Sequence, residues 1–313
     1  MRVNATAKIN LHLRVGPPTP DGFHPLLTWM VTVGLFDTLD VRLRDEPGVA
    51  LACDDPALPT DGTNLVSRGA TALLEAAAVV EHGAGIALAP AAGATVSLRK
   101  RIPTGAGLGG GSADGAAVIT ALDRLLQLGW PADRLADLSA RLGSDLPFFF
   151  HGPSSVCTGR GEVVRPIARP KPRWAVLVLP PIHMPTPAVY RKYDELGLGD
   201  ATTISAEPDW ARLTGLTANE LLPELVNDLE APAFAISSKL AELREAAQSV
   251  VGRIVRMSGS GSSLFTLYDA AADASASAEK LRAKLGVRTV AVELCPALGA
   301  ESSVPGPVER LPE

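Results

Sequence analysis

Pro103-Thr104-Gly105-Ala106-Gly107-Leu108-Gly109-Gly110-Gly111-Ser112 is the stretch on which the reading of this chain turns. Five glycines in so short a run let the backbone take conformations that other residues resist. They also let a ligand approach the main chain. A helical pattern starts at about Ser112, with Val118, Leu122, Leu125 and Leu126 at helical spacing. Free N–H groups and the positive end of the helix dipole would then face the loop, so phosphate is its natural guest. A plain linker would not need this composition against a helix start. Gly105, Gly107 and Gly110 satisfy the dinucleotide fingerprint G-x-G-x-x-G. That fingerprint wants a buried parallel strand before it, whereas here Lys100, Arg101 and Pro103 precede. The P-loop pattern fails as well, because no lysine follows the last glycine.

Upstream, Ile9, Leu11, Leu13 and Val15 alternate with Lys8, Asn10, His12 and Arg14. A period of two predicts a strand with one buried face, which leaves Lys8, Asn10 and His12 together on the other. A turn cluster follows at Pro17–Gly22, then two strand-like stretches over 29–43, joined near Asp37. Residues 64–80 read as a helix with Asn64 as N-cap, 83–94 as a loop, and 95–99 as a strand. Downstream, a second helix from about Ala132 ends at Gly143, placing Ser144 and Asp145 just past it. Residues 165–172 are proline-rich and read as a linker. Strands at 174–179, 253–257, 264–268 and 287–294 alternate with helices near 188–196, 231–247 and 272–285. The tail 296–313 reads as mobile. Helices on one mostly antiparallel sheet, an α+β arrangement, fit this order.

At 313 residues, length suggests about two domains. The net charge of −5 speaks against a nucleic-acid binder. Three scattered cysteines, Cys53, Cys157 and Cys295, indicate neither a disulfide framework nor a zinc site. Residues 1–15 lack the apolar core of a signal peptide, and no run approaches the roughly 18 apolar residues of a membrane span. A soluble cytoplasmic protein with a small-molecule partner is the expectation.

Residues 103–113 resemble the phosphate loop of the GHMP kinases, Pro-x-Gly-x-Gly-Leu-Gly-(Gly/Ser)-Gly-Ser-(Ser/Ala). Further segments are similar to one family within them, the diphosphocytidyl-methylerythritol kinases. These are Ala7-Lys8-Ile9-Asn10-Leu11, Asp21-Gly22-Phe23-His24, and Leu142 through Phe149. Gly159-Arg160-Gly161-Glu162, Pro185 through Tyr190 and the loop Ser258–Ser263 also match. The resemblance runs from residue 5 to about 268 in family order. Two departures stand out: Phe23 replaces a usual tyrosine, and Gly115 sits where a better helix former is common.

The resemblance implies a ribosomal-protein-S5-like N-terminal domain over 1–165 and a ferredoxin-like C-terminal domain over 166–313. It implies phosphorylation, by ATP, of the 2-hydroxyl of 4-diphosphocytidyl-2-C-methyl-D-erythritol, in the non-mevalonate route to isoprenoid precursors. Asp145 becomes the candidate general base and Lys8 its partner; by position alone, Asp145 reads first as a turn aspartate and Lys8 as a solvated strand lysine. ATP contacts fall on Pro103, Gly105, Gly107, Leu108, Gly109, Gly110, Gly111 and Ser112, and more weakly on Asn64 and Leu65. Substrate contacts fall on Asn10, Phe23, His24, Thr186, Tyr190, Gly259 and Gly261. Phe23 and Tyr190 would stack on cytosine, and His24 would read its edge. Mg²⁺ is expected, without assigned ligands. Other GHMP kinases, such as homoserine or mevalonate kinase, share the glycine loop but have no need of the Asp21–His24 segment or Tyr190. A non-catalytic sensor would be expected to lack Lys8 or Asp145.

Overall fold

The computed structural model describes residues 1–84 and 93–297. Its first sheet is built from β1 (Arg2–Val15), β2 (Leu26–Arg44), β3 (Val49–Cys53), β4 (Gly93–Arg99), β5 (Ser154–Gly159) and β6 (Val163–Pro166). The strand order is β3-β4-β2-β5-β6, with β1 on β2. Only β3 and β4 run parallel. Between the strands lie helices α1 (Leu65–Ala84), α2 (Gly110–Leu125), α3 (Ala132–Ala140) and the short α4 (Phe148–His151).

The second sheet takes β7 (Trp174–Leu179), β8 (Arg256–Met257), β9 (Leu264–Tyr268) and β10 (Arg288–Glu293) in the antiparallel order β10-β7-β9-β8. Its helices are α5 (Thr186–Glu195), α6 (Ala201–Ser205), α7 (Trp210–Thr214), α8 (Ala218–Leu221), α9 (Glu230–Ile236), α10 (Ser238–Val251) and α11 (Ala271–Leu285). The single sheet expected from pattern is therefore two. The later strands carry helices of their own, and Val176, Val178 and Leu264 bury against α9, α10 and α11.

β1 runs through three cores. Ala5 packs under α1 and α2, Ile9 and Leu11 lie between the sheets, and Leu13 and Val15 reach the second sheet's helices. The expectation of one buried face is corrected: Lys8, Asn10 and His12 are buried too. The glycine loop covers Lys8, whose N donates to Leu108 O at 2.9 Å, while Trp210 meets the His12 ring edge-on.

The two expected strands over 29–43 are one strand, β2. Its irregularity falls at residues 34–35, between the pairs Ala7↔Val33 and Thr6↔Phe36. Asp37 breaks nothing, because its carboxylate is fully buried in an ion pair with Lys100. The helix read over 231–247 is α9 and α10, separated at Ser237, whose side chain caps α10. Of the loop read at 83–94, residues 83–84 end α1, 93–94 begin β4, and 85–92 lie outside the described residues, as does the tail from 298. The linker read at 165–172 begins inside β6. No helix among the described residues is long and apolar enough to cross a membrane.

Candidate active site

A cleft of about 710 Å³ opens between the glycine loop, β1 and α5. The loop forms its upper wall. Helix α2 begins at Gly110, two residues before the sequence suggests, with Gly109 as N-cap at φ 67° and no side-chain cap. The first N–H groups of α2 are thus left to a guest, as an anion cradle requires. Gly107 stands at φ 77°, and a Cβ there would collide with the carbonyl oxygen of Ser258. Only glycine lets the loop touch the second glycine loop, Ser258–Ser263. Ser258 Oγ donates to Gly107 O at 2.9 Å and accepts from Asn10 N at 3.2 Å.

The floor is a chain of polar contacts from β1. Lys8 Nζ donates to Asn10 Oδ1 at 2.6 Å and lies 3.3 Å from Asp145 Oδ2. Asn10 Nδ2 donates to Thr28 Oγ1 at 2.8 Å, and Thr28 donates on to His12 O at 2.8 Å. Asn10 is held on both sides, so its carbonyl fixes the ammonium. The Lys8 side chain is 5% exposed and that of Asp145 36%, so the carboxylate is the member open to a ligand. Asp145 sits in the turn after α3, anchored by the fully buried Leu146. Gly115 explains itself here: a Cβ would stand 3.1 Å from Leu146 Cδ2 and 3.3 Å from Leu65 O. Its lost helix propensity lets α2 close on α1 and on the Asp145 turn.

Phe23, His24 and Tyr190 line the far end. Phe23 is 50% exposed, so its ring is open to a ligand. The Arg160 guanidinium lies 3.7 Å over its ring and is paired with Asp21. His24 and Tyr190 rings stand 5.1 Å apart. His24 Nδ1 donates to Gly16 O at 2.9 Å, and its Nε2 lies 3.4 Å from Asp194 Oδ1. Burial, then the charge of Asp145, pushes the Tyr190 phenol up from its ordinary value. Thr186 Oγ1 is 2.8 Å from Ser260 Oγ, so the second glycine loop meets α5 there.

Most expected site residues line this one cleft: Lys8, Asn10, Phe23, His24, Leu65, Pro103, Gly105–Ser112, Asp145, Thr186, Tyr190 and Gly259. Two do not. Asn64 spends its side chain on Val66 N and Pro59 O, as cap of α1. Gly261 faces the core, where a Cβ would meet Met257 Sδ at 2.8 Å. Sequence reading missed Arg160, although its motif was in view, and Lys100. Lys100 Nζ bridges Asp37 at 2.5 Å and Asp114 at 2.7 Å beside the loop. Asp37 also accepts from Ile102 N at 2.9 Å, which ties the loop's entrance to β2.

The same two-part construction is found in known proteins. Residues 64–153 match the family model of the GHMP kinases N terminal domain, and residues 212–286 that of GHMP kinases C terminal. The homoserine kinase of Cytophaga hutchinsonii shares the fold, with a TM-score of 0.69 over 94% of each chain, at 19% identity. The architecture is that of a GHMP kinase. Similarity is much higher to a crystal structure of a 4-(cytidine 5'-diphospho)-2C-methyl-D-erythritol kinase: 36% identity and a TM-score of 0.72, covering 94% of this chain and 99% of the other. The 4-diphosphocytidyl-2-C-methyl-D-erythritol kinase of Nocardioides sp. is 38% identical over 266 residues, 83% of this chain and 85% of that protein. This chain belongs to the 4-diphosphocytidyl-2-C-methyl-D-erythritol kinase family.

Proposed function

We propose that this chain transfers the γ-phosphoryl group of ATP to the 2-hydroxyl of 4-diphosphocytidyl-2-C-methyl-D-erythritol, within the non-mevalonate route to isoprenoid precursors. The observation that carries the reading is the position of the Lys8–Asp145 pair, in one cleft with the glycine cradle and the Phe23–His24–Tyr190 group.

The loop N–H groups and the start of α2 hold the triphosphate. The acceptor's cytosine lies against Phe23 and Tyr190, aromatic faces that stack on bases at little ordering cost. His24 reads the cytosine edge by hydrogen bonding. Asp145 takes the proton of the acceptor hydroxyl as its oxygen bonds to the γ-phosphorus. The bond from that phosphorus to the β,γ-bridging oxygen breaks, ADP leaves, and the proton passes from Asp145 to solvent. Lys8, held by Asn10, offers fixed positive charge to the oxygen as it loses its proton. Gly259 lets the second loop approach this pair, since a Cβ there would stand 3.0 Å from Asn10 Oδ1.

Mg²⁺ enters with ATP as part of the substrate. Among the described residues, no group of three or more acidic, His or Cys side chains is arranged to hold a metal ion by itself. A nucleotide-borne ion needs few protein ligands, and the Ser112 hydroxyl, which lines the cleft, fits that need. When bound, it would neutralise charge on the β- and γ-phosphates. We place the domain division at 165/166, at the end of β6, the last strand of the first sheet, and take the site of action to be the cytoplasm.

The test is ADP release by the purified protein with MgATP, with diphosphocytidyl-methylerythritol, mevalonate, homoserine and galactose offered separately. Turnover with the first alone is expected. Turnover with another acceptor would keep the kinase and remove the cytidine assignment. Silence with all four would turn the reading toward a ligand sensor.

A further inference from the structure

A second cavity, of about 500 Å³, lies behind the catalytic cleft among β1, the residues after α5, α9 and α10. Its acidic groups are already committed. Asp228 accepts from Arg14 Nη1 and Val15 N, both at 3.0 Å. Glu230 accepts from Met257 N at 2.8 Å and Arg256 Nη1 at 3.3 Å. Asp200 caps α6 through Thr202 N at 2.8 Å. The guanidinium of Arg244 is the exception. Among the described residues its only ion-pair contact is Glu245 at 3.9 Å, and its buried Nε has no hydrogen-bond partner. It stands 5.0 Å over the ring of Phe234, which lines the cavity with Tyr193 and Leu198.

A planar cation with donors to spare, beside an apolar wall, matches an oxyanion carried on an apolar body. Two wall residues also touch the catalytic cleft. Asn227 Nδ2 donates to Met257 O and Gly259 O, both at 2.8 Å, holding the second glycine loop from behind. Tyr193 meets the His24 ring edge-on at 5.7 Å.

We propose that this cavity binds a small organic oxyanion with an apolar body, seated on Arg244, and that its occupancy is felt at the catalytic cleft through Asn227 and Tyr193. The carboxylate and phosphate forms share this chemistry, and the probes separate them.

The first measurement is fluorine NMR titration of the full chain with 4-fluorobenzoate, 4-fluorophenyl phosphate and neutral 4-fluorobenzyl alcohol. Either or both anions should bind, the alcohol should not, and MgATP with cytidine diphosphate should displace neither anion. Arg244→Gln should weaken binding by about tenfold or more, as for loss of a charge-assisted hydrogen bond. Ala231→Trp, at an exposed position on the rim, should block it without touching the core. Equal binding of the alcohol, binding unchanged in both variants, displacement by cytidine diphosphate, or no binding of either anion would each overturn the site. The second measurement is the acceptor KM with and without a saturating concentration of whichever of the two anions binds. A shift that Arg244→Gln abolishes is expected, and an unchanged KM overturns the link to the cleft. This arm rests on the kinase reading: no turnover by the untreated enzyme would sink that reading, whereas the fluorine titration needs no turnover.

Discussion

Two lysine–carboxylate clusters flank the glycine loop, and they differ in one respect that decides their use. Lys100, Asp37 and Asp114 have side chains 7%, 0% and 3% exposed, so that cluster is sealed. Lys8 is equally buried, but its partner Asp145 is 36% exposed to the cleft. The sealed carboxylates hold structure: through Asp37 the cluster ties Arg101 N and Ile102 N at the loop's entrance. An open one can exchange its partner for a substrate hydroxyl. The residue types are the same; access of a ligand to the carboxylate separates scaffold from chemistry.

Charge bookkeeping separates them again. Two carboxylates on one ammonium leave a net negative charge in the sealed cluster. Burial answers it by pushing the Asp114 carboxyl from the ordinary 3.8 up to about 8, against the pull of Lys100. Burial pulls the Lys100 ammonium down, but the charges of Asp114 and Asp37 outweigh it and leave the net shift upward.

Substitutions can break this contrast. The largest effect is expected from Asp145→Asn, which should cut kcat by about 10²–10⁴ with ATP and acceptor binding retained. Near-normal turnover would remove the base role. Lys100→Met strands the buried Asp37 carboxylate beside Asp114 and should cost about 3–5 kcal/mol of unfolding free energy in a denaturant titration. Lys8→Met should instead lose turnover with little change in that midpoint. If the two lysine variants behaved alike, the contrast would collapse. Tyr190→Ala should weaken acceptor binding by about 1–3 kcal/mol, the worth of one base stack. Unchanged affinity by calorimetry would refute the platform.

The smallest effect concerns pH. Because Asp114 holds its proton up to about pH 8 when folded and loses it near pH 4 when unfolded, its contribution to stability falls as pH rises across that window. Asp114→Asn, uncharged throughout, should flatten this part of the stability profile in thermal melts at stepped pH.

The buried imidazole of His12 shows where pattern stops. Its place in the alternation makes it an ordinary strand residue. In the fold both its ring nitrogens lack partners among the described residues, and Trp210 meets it edge-on at 5.8 Å. Burial first, then the charges of Arg14 and Arg256, lowers it to about 4, so it is neutral at pH 7. Neither Trp210 nor Arg256 is near it in sequence. Arg160 was hidden for the same reason: its motif was visible, but its stacking on Phe23 spans 137 positions, from 23 to 160. Asp37 read as a break because a charge in an apolar strand signals an end, unless a distant lysine meets it.

The sequence by itself determined the local chemistry. It set the glycine run that opens α2, the alternation that puts Lys8 and Asn10 on one face, the cap at Asn64, and the turn bearing Asp145. These follow from backbone freedom, side-chain period and capping, which act over a few residues. The tertiary structure alone decided which carboxylate is open and which is sealed. It brought Ser258 to Asn10 across 248 positions, and it set Gly115 against Leu146 so that the Asp145 turn could close. Burial and long-range contact depend on how whole sheets and helices stack, and no short window of sequence contains that information.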